Sequence, residues 1–420
     1  MADLFLPPGV RYTCIRCGDC CRSLDVTLTE PEHERLVARD WSADLPGFTP
    51  ERGFARHRGG GKQVWRIRPG TNGACPFLTT GNLCLVHAKL GYGAKPFAGR
   101  LFPFTFTVTP VGVFVGVRFN CPAVARGEGP ELEQQRSDIQ RLFGEYARVY
   151  EPLCEPDRVR FFGRYELDWH DIVRLEDQLF AFLFHRNLSV GERLLACRRL
   201  VRRFASETFQ NRAGGQVGID PDEILAEVRR GAQEPGQLGA LERAMTRLLV
   251  ATLAGASLPS VRELSLARRT GIRLSNVRQR LLMALGSGRA VLPGIPEPVP
   301  IREVGPVDAS SLDAASAAML ERYFVAKVAG QAFFGRSFFR RTFAVGLDFL
   351  VTSYGPILWL ASAHALASGT RRLQASDIEY GIRQVDYGLN YMPTLGGATE
   401  RLRAALFWHW NTPERLLRRQ

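Results

Sequence analysis

The sequence predicts a mainly α-helical protein, with an N-terminal α+β cysteine-cluster domain followed by a helical C-terminal region. Three observations predict this fold class. Seven of the nine cysteines lie in the first third of the chain. Short stretches rich in Val, Phe and Thr characterise the chain before about residue 130, and apolar residues at helical spacing follow. A content of 45% hydrophobic and 23% charged residues is typical of a globular protein and excludes a disordered or collagen-like chain.

The 420 residues are enough for two or three domains. We expect a cysteine-cluster metal-binding domain at residues 1–128 and a helical domain at 129–290. A proline-rich linker at 291–311 and a second helical block at 312–420 complete the predicted division. The linker is predicted because prolines at 293, 296, 298, 300 and 306 interrupt regular structure there.

Within the N-terminal domain, alternation and β-branched residues predict strands, and a capping box predicts a helix. Thr29 and Glu32 are the capping pair. The break at Pro110 predicts a hairpin that carries Cys121 back toward the first cysteines. The predicted strands are 24–29, 63–68, 104–109 and 111–119.

The C-terminal region carries helix start signals at Ser189 with Glu192 and at Pro221. The stretch 342–366 is apolar enough to raise the question of a membrane span. Because it contains Asp348 and a break near Pro356, a buried helix pair is the favoured interpretation and no membrane partner is expected. The first nine residues have no basic segment followed by an apolar run, so we expect a cytoplasmic protein without a signal peptide.

The charge alone says little about binding partners. The net charge is +13, and only four of the 55 basic residues are lysines, which is typical of a genomic preference for arginine. Residues 260–271 and 275–281 have the pattern of a helix–turn–helix, with Gly271 in the turn and Arg278 and Arg280 on the second helix. Such capped helix pairs recur in many helical domains, so nucleic-acid binding is the least favoured interpretation.

The run Cys14-x2-Cys17-x2-Cys20-Cys21 is the strongest motif of the chain. Two residues between cysteines let both sulfurs turn toward one metal ion. Thiols stay reduced in the cytoplasm, so metal or iron–sulfur ligation is favoured over disulfides. Because Cys20 and Cys21 are adjacent, one of them is free to bind a second metal or to lie beside the first.

A second group follows, with Cys75, Cys84 and Cys121 as candidate ligands. His87 lies three residues after Cys84 and is either a further metal ligand or a structural histidine. The remaining two cysteines, Cys154 and Cys197, lie in helical contexts and are interpreted as small apolar residues.

These motifs resemble the CxxCxxCC family of zinc- or iron-chelating proteins, which includes flagellin lysine-N-methylase-like proteins. The family pattern runs C-x2-C-x2-C-C, C-P-F-L, L-C-x-x-H, K-P-x-x-C-R-x-F-P-F and a final C-P. Residues 14–122 match every element except that Gly99 replaces one expected cysteine. Eight thiols could fill two metal sites of four ligands each, whereas this chain has seven. Either one site has an open position, or His87 supplies the missing ligand, or one site is lost. Arg100 beside this gap is a candidate for binding a cofactor carboxylate, with packing against Phe102 and Phe104 as the alternative.

The resemblance implies a 4Fe-4S cluster or zinc, S-adenosylmethionine as a cofactor, and a bacterial protein substrate such as flagellin. The helical region is also similar to that of the methylases, at Asp168-Trp169, 192–195 and 320–392. No glycine-rich cofactor motif and no C-x3-C-x2-C run is present, so no catalytic residue is predicted. The alternative function is a non-catalytic zinc- or iron-chelating or redox-sensing protein on a helical scaffold.

Overall fold

A computed structural model describes residues 3–59, 62–70, 73–210, 219–231, 238–254, 266–305, 312–370 and 372–418. The predicted fold class is confirmed, because strands are concentrated in the first 117 residues and helices dominate the rest. The N-terminal elements are β1 (Leu4–Phe5), α1 (Asp19–Ser23), β2 (Thr27–Leu28), α2 (Glu30–Val37), α3 (Pro50–Gly53), β3 (Phe54–Gly59), β4 (Lys62–Ile67), α4 (Leu85–Leu90), α5 (Phe97–Leu101), β5 (Phe104–Thr109), β6 (Gly112–Val117) and α6 (Pro122–Arg126).

The later part of the chain is mainly helical and contains two short pairs of strands. Its elements are α7 (Arg136–Tyr150), β7 (Arg158–Phe162), β8 (Tyr165–Asp168), α8 (Trp169–Leu183), α9 (Val190–Gln210), α10 (Pro221–Gly231), α11 (Ala240–Ala254), α12 (Leu266–Leu285), β9 (Arg289–Ala290), β10 (Val299–Pro300), α13 (Ala314–Ala329), α14 (Phe343–Thr352), α15 (Tyr354–Ala367), α16 (Ala375–Tyr391), α17 (Ala398–Trp410) and α18 (Thr412–Arg418).

The N-terminal region, which contains the clustered cysteines, has two small three-stranded sheets. In the first, β4 lies between β2 and β3, and both pairings are antiparallel. In the second, β5 and β6 form the predicted hairpin, and β1 joins β6 in parallel. The capping box is also present, because Glu32 accepts the Thr29 N–H at 2.9 Å. Local signals of this kind act within a few residues and are therefore readable from the sequence.

The buried apolar side chains form two cores of different size. The smaller core lies between β3–β4 and α4, and its eight buried members are Leu28, Leu36, Trp41, Phe54, Ile67, Phe77, Leu85 and Val86. The larger core combines the β1–β6–β5 sheet with the C-terminal helices. Since β5 and β6 pack with residues beyond 300, the hydrophobic packing crosses the boundary predicted at residue 128.

The predicted linker is packed rather than exposed. Leu292, Ile295, Val299 and Ile301 are all buried in the larger core, and β10 pairs with β9. Prolines interrupt helices here, but the apolar residues between them are still buried in the larger core. The described part of this segment, 291–305, is therefore a structured connection.

The apolar stretch near residue 350 forms two buried helices, α14 and α15, which meet at Ser353. The run Phe343–Ala367 is long and apolar enough to cross a membrane by composition, but 83% of its most apolar window is buried inside the protein. Such burial is typical of a core helix, and it agrees with the helix pair predicted from the sequence.

The helix–turn–helix interpretation is not supported where the structure describes it. Helix α12 is continuous from Leu266 to Leu285 and runs through Gly271, which the motif requires in a turn. Residues 260–265 lie outside the described part of the chain. A glycine inside a helix costs only about 1 kcal/mol, so it does not by itself end one.

We predict that Glu176→Gln makes stability less dependent on pH. Glu176 is 5% exposed and accepts a hydrogen bond from Gln331, and burial raises its pKa well above the usual value. Because the folded state holds this proton more tightly, its contribution is full at low pH and is lost as pH rises through the folded-state pKa. Between about pH 5 and pH 8, the melting temperature of the variant should fall by about 2–4 °C less than that of the parent.

Glu297→Gln, the same change at an exposed position, is the matched control and should melt with the parent's pH dependence. Equal pH slopes for the parent and Glu176→Gln would show that Glu176 does not hold a proton in the fold.

Candidate metal centre

The first cysteine run turns sharply at Gly18. Cys17 lies before α1, whereas Cys20 and Cys21 lie inside it. Gly18 has a left-handed backbone with φ of 77°, which glycine adopts without steric cost. A Cβ atom there would lie 2.6 Å from Arg22 Nη1, so a larger residue would clash as well as strain the turn.

The other cysteines of the cluster also lie at turns. Cys84 directly precedes α4, and Cys121 directly precedes α6. The first N–H groups of a helix have no partner within the helix and are free to face a sulfur. The Cys75 N–H donates to the Cys21 carbonyl at 2.7 Å, which ties the second cysteine group to the first.

Backbone N–H groups donate to four of the sulfurs. Such N–H···S bonds stabilise the thiolate form and accompany cysteine ligation of metals. In each case the donor lies one to three residues after the cysteine. The pairs are Asp19 N–H with Cys17, Cys21 N–H with Cys20, Phe77 N–H with Cys75, and the Ala123 and Val124 N–H groups with Cys121.

Burial opposes ionisation of the same thiols. It raises the pKa of Cys75 to about 12 and that of Cys121 to about 12. A hydrogen bond with Cys21, followed by burial, raises the pKa of Cys20 far above its usual range. These thiols therefore ionise at neutral pH only if a cation lies beside them, and the donor set fits a metal that displaces their protons.

Cys20 interacts with thiols of both cysteine groups. Its Sγ atom lies 4.0 Å from the Cys21 Sγ atom. Besides burial, its charge raises the pKa of Cys17 in the first run, and the pKa of Cys75 and Cys121 in the second group. The two groups identified from the sequence therefore meet at Cys20.

The hairpin predicted to carry Cys121 back toward the first cysteines is formed by β5 and β6. Besides burial, the charges of Cys17 and Cys20 raise the pKa of the Cys121 thiol. Among the described residues, no three His, Cys, Asp or Glu side chains form a group that could hold a metal ion, and the individual ligand assignments stay predictions.

The described contacts of His87 and Arg100 are with residues other than the cysteines. His87 is exposed on α4, and its ring packs against Tyr92 with 5.5 Å between ring centroids. Arg100 pairs with Glu145 at 2.6 Å and donates to the Lys95 carbonyl at 3.0 Å. The anion that Arg100 holds in this structure is thus Glu145 on α7. Metal binding by His87 and cofactor binding by Arg100 stay predictions.

A cleft of about 960 Å³ opens beside the cysteine cluster and reaches helices α12 and α16. Cys20, Cys21 and Gly99 lie on its wall. Lys95 also lies there, and its charge lowers the pKa of Cys20 against the larger effects of Cys21 and burial. The position that lacks the family cysteine therefore faces the same space as two of the thiols.

The cleft wall carries two buried polar atoms without a partner in the described structure, Arg118 Nη1 and Asn120 Oδ1. Unpaired buried polar groups are costly and are found where a ligand or water completes them. Sequence reasoning missed both residues, although Asn120 directly precedes the Cys121-Pro122 motif. Arg118 also lies over the Tyr391 ring at 4.8 Å.

Helix α16 forms the opposite wall and is tied to the cysteine region. Asp386 accepts the Asn120 N–H at 3.0 Å, and Arg383 pairs with Asp19 at the start of α1. The Tyr387 hydroxyl donates to the Ser23 carbonyl at 3.3 Å. The cysteine cluster and the helical region therefore form one site, and no local sequence pattern predicts these long-range contacts.

Comparison with known proteins supports metal binding by the N-terminal region. Residues 13–122 match the family model CxxCxxCC, whose description is "Putative zinc- or iron-chelating domain". An uncharacterized protein of Methanocaldococcus jannaschii is 22% identical over 172 residues, which are 39% of this chain and 56% of that protein. The match thus spans little more than half of the relative's length. No solved structure matches the chain.

We predict that Cys20→Ser removes most of the bound metal, because Cys20 interacts with thiols of both cysteine groups. The small core then loses the bonds that order its loops, and residues 14–122 become sensitive to protease. Metal content and limited proteolysis are the measurements. Cys154→Ser, which alters an exposed cysteine outside the cluster, should change neither; full metal content in Cys20→Ser would refute its role as a ligand.

We predict that Gly99→Cys strengthens metal binding by adding a thiol to the cleft wall. A Cβ atom at Gly99 would lie 3.2 Å from Lys95 Cε, the flexible end of a side chain that can move. Affinity, measured by competition with a chelator, should rise by about tenfold. In the control Gly93→Cys the new thiol meets open space. Equal affinity for both variants would mean that no ligand position is open beside Gly99.

Proposed function

Residues 13–122 form a zinc- or iron-chelating domain of the CxxCxxCC family, and from this premise we propose that the protein is a flagellin lysine-N-methylase-like methyltransferase. In this proposal the thiols hold an iron–sulfur cluster, and S-adenosylmethionine is the methyl donor. The observation that carries the proposal is that Cys20 and Cys21 face a cleft large enough for a cofactor and a lysine side chain. A purely structural metal has no need of such an opening.

The walls of the cleft suit a charged, ring-containing cofactor. Tyr387 and Tyr391 both line the cleft, and the Tyr387 ring can hold a sulfonium or an ammonium group, whereas Arg118 already lies over the Tyr391 ring. Arg118 and Asn120 offer the unpaired donor and acceptor that a carboxylate and a hydroxyl or amino group would complete. These four residues would orient the cofactor beside the thiols.

The bound cofactor supplies an activated methyl group. The lysine amine must be neutral when it attacks, so its proton leaves to solvent before the N–C bond forms and the C–S bond breaks. The cleft walls would hold the amine in line with the sulfonium and exclude water around it. A protein substrate such as flagellin, and a cytoplasmic site where thiols stay reduced, complete the proposal.

The alternative is a non-catalytic zinc- or iron-chelating or redox-sensing protein. The observation that favours it is the small core, whose eight buried side chains leave the surrounding loops dependent on other restraints. Metal–thiolate bonds would then serve to fold residues 14–122. In this interpretation the cleft has no catalytic part.

We expect protein purified without oxygen to be brown and to transfer methyl groups to lysines of flagellin, with mass spectrometry as the measurement. Tyr387→Ala should reduce the rate by about tenfold because it removes one aromatic wall of the cleft. Tyr165→Ala, on an exposed hairpin residue, should retain the parental rate.

The competing outcomes are distinct. Colourless protein with stoichiometric zinc and no methyl transfer would favour the structural alternative. Brown protein without transfer would retain the cluster and refute the methylase.

A further inference from the structure

A second cavity, of about 640 Å³, shares Leu101, Phe104 and Arg118 with the thiol cleft. Its walls come from β5, α13, α14, α16 and the loop at residues 331–342. Aromatic rings make up much of the surface. The phenylalanines that line it are Phe104, Phe106, Phe333, Phe338, Phe339 and Phe349.

The charged residues of this cavity are all basic. No acidic side chain lines it among the described residues. One of its cations, Lys327, is buried and pairs with Asp386. Another, Arg340, lies near Glu155: its charge lowers the pKa of that carboxyl group, although burial raises the same pKa by more. The five cations that line it are Arg118, Lys327, Arg336, Arg340 and Arg401. The wall therefore keeps an excess of positive charge.

Backbone strain is concentrated in the loop that closes the cavity. Phe339 and Arg340 are consecutive and have φ of 53° and 56°. A left-handed conformation at residues other than glycine costs about 1–3 kcal/mol and persists only where the surroundings hold it. Here the Arg340 N–H donates to the Gly335 carbonyl at 2.7 Å, and the Gly335 N–H donates to the Arg341 carbonyl at 3.0 Å.

The strained pair presents a ring and a cation to the same cavity. Room for the ring depends on Gly396, because a Cβ atom there would lie 2.9 Å from Phe339 Cδ1. An aromatic residue and an arginine held side by side at an energetic cost match the two parts of an amphipathic anion. Arg340 is exposed, so an anion can reach its guanidinium from solvent.

We propose that this cavity binds an amphipathic anion, with an aromatic or branched apolar body among the phenylalanines and a carboxylate or phosphate on the arginines. The apolar body gains from burial against the rings, and guanidinium groups bind planar oxyanions through paired hydrogen bonds. The cavity contains none of the cysteines but shares Arg118 with the thiol cleft. The variants that test it, at Ala332 and Arg340, therefore change residues that line this cavity and not the cleft.

The test is isothermal titration calorimetry of the metal-replete full-length protein with probes that share one apolar body. 4-Phenylbutanoate and 4-phenylbutyl phosphate carry the anion, 4-phenylbutan-1-ol is neutral, and 4-phenylbutylammonium reverses the charge. We expect at least one of the anions to bind with one-to-one stoichiometry. The alcohol should bind about tenfold more weakly, and the ammonium should not bind.

Two variants place the probe in this cavity. Ala332→Trp fills it and should abolish binding, whereas Arg340→Gln removes a cation and should weaken binding of the anion by about fivefold. Arg229→Gln, an exposed change on α10, should bind as the parent does. Melting curves and circular dichroism check that each variant is folded.

Three results would overturn the proposal. They are equal affinity for the alcohol and the better anion, unchanged binding by folded Ala332→Trp, and no measurable binding of either anion at millimolar concentration. None of these outcomes depends on methyl transfer, so the cavity and the methylase can fail separately.

Discussion

The arrangement of the whole site depends on one buried carboxylate, that of Asp386. It is fully buried on α16, accepts the Asn120 N–H at 3.0 Å and pairs with Lys327. Asn120 directly precedes Cys121, so this carboxylate fixes the backbone at one end of the cysteine cluster. Removing one partner of such a pair leaves a buried charge and costs about 3–5 kcal/mol. The cysteine cluster is therefore positioned by the helical region as well as by its own loops.

The cysteine region in turn has little packing of its own. Its core has eight buried side chains, and burial keeps several of its thiols protonated unless a cation is present. Ordering loops costs about 1–2 kcal/mol per residue in backbone entropy, which so small a core offsets only partly. Metal binding relieves both problems, since it replaces thiol protons and links distant turns. Folding and metal binding of this region are thus expected to be coupled.

Local features of the fold could be predicted from the sequence, and long-range ones could not. The capping box at Thr29 and the hairpin broken at Pro110 depend on neighbouring residues, and both are present. The contacts of Asn120 with Asp386 and of Arg383 with Asp19 join residues more than 260 positions apart, and no local pattern announces them.

The central claim is that the clustered thiols bind a zinc or iron centre at the wall of the cleft. X-ray absorption at the metal edge of the purified protein tests it directly, because the scattering shell identifies the ligand atoms. The account predicts a shell dominated by sulfur at about 2.3 Å. A shell made only of oxygen and nitrogen, or the absence of stoichiometric metal, would contradict it.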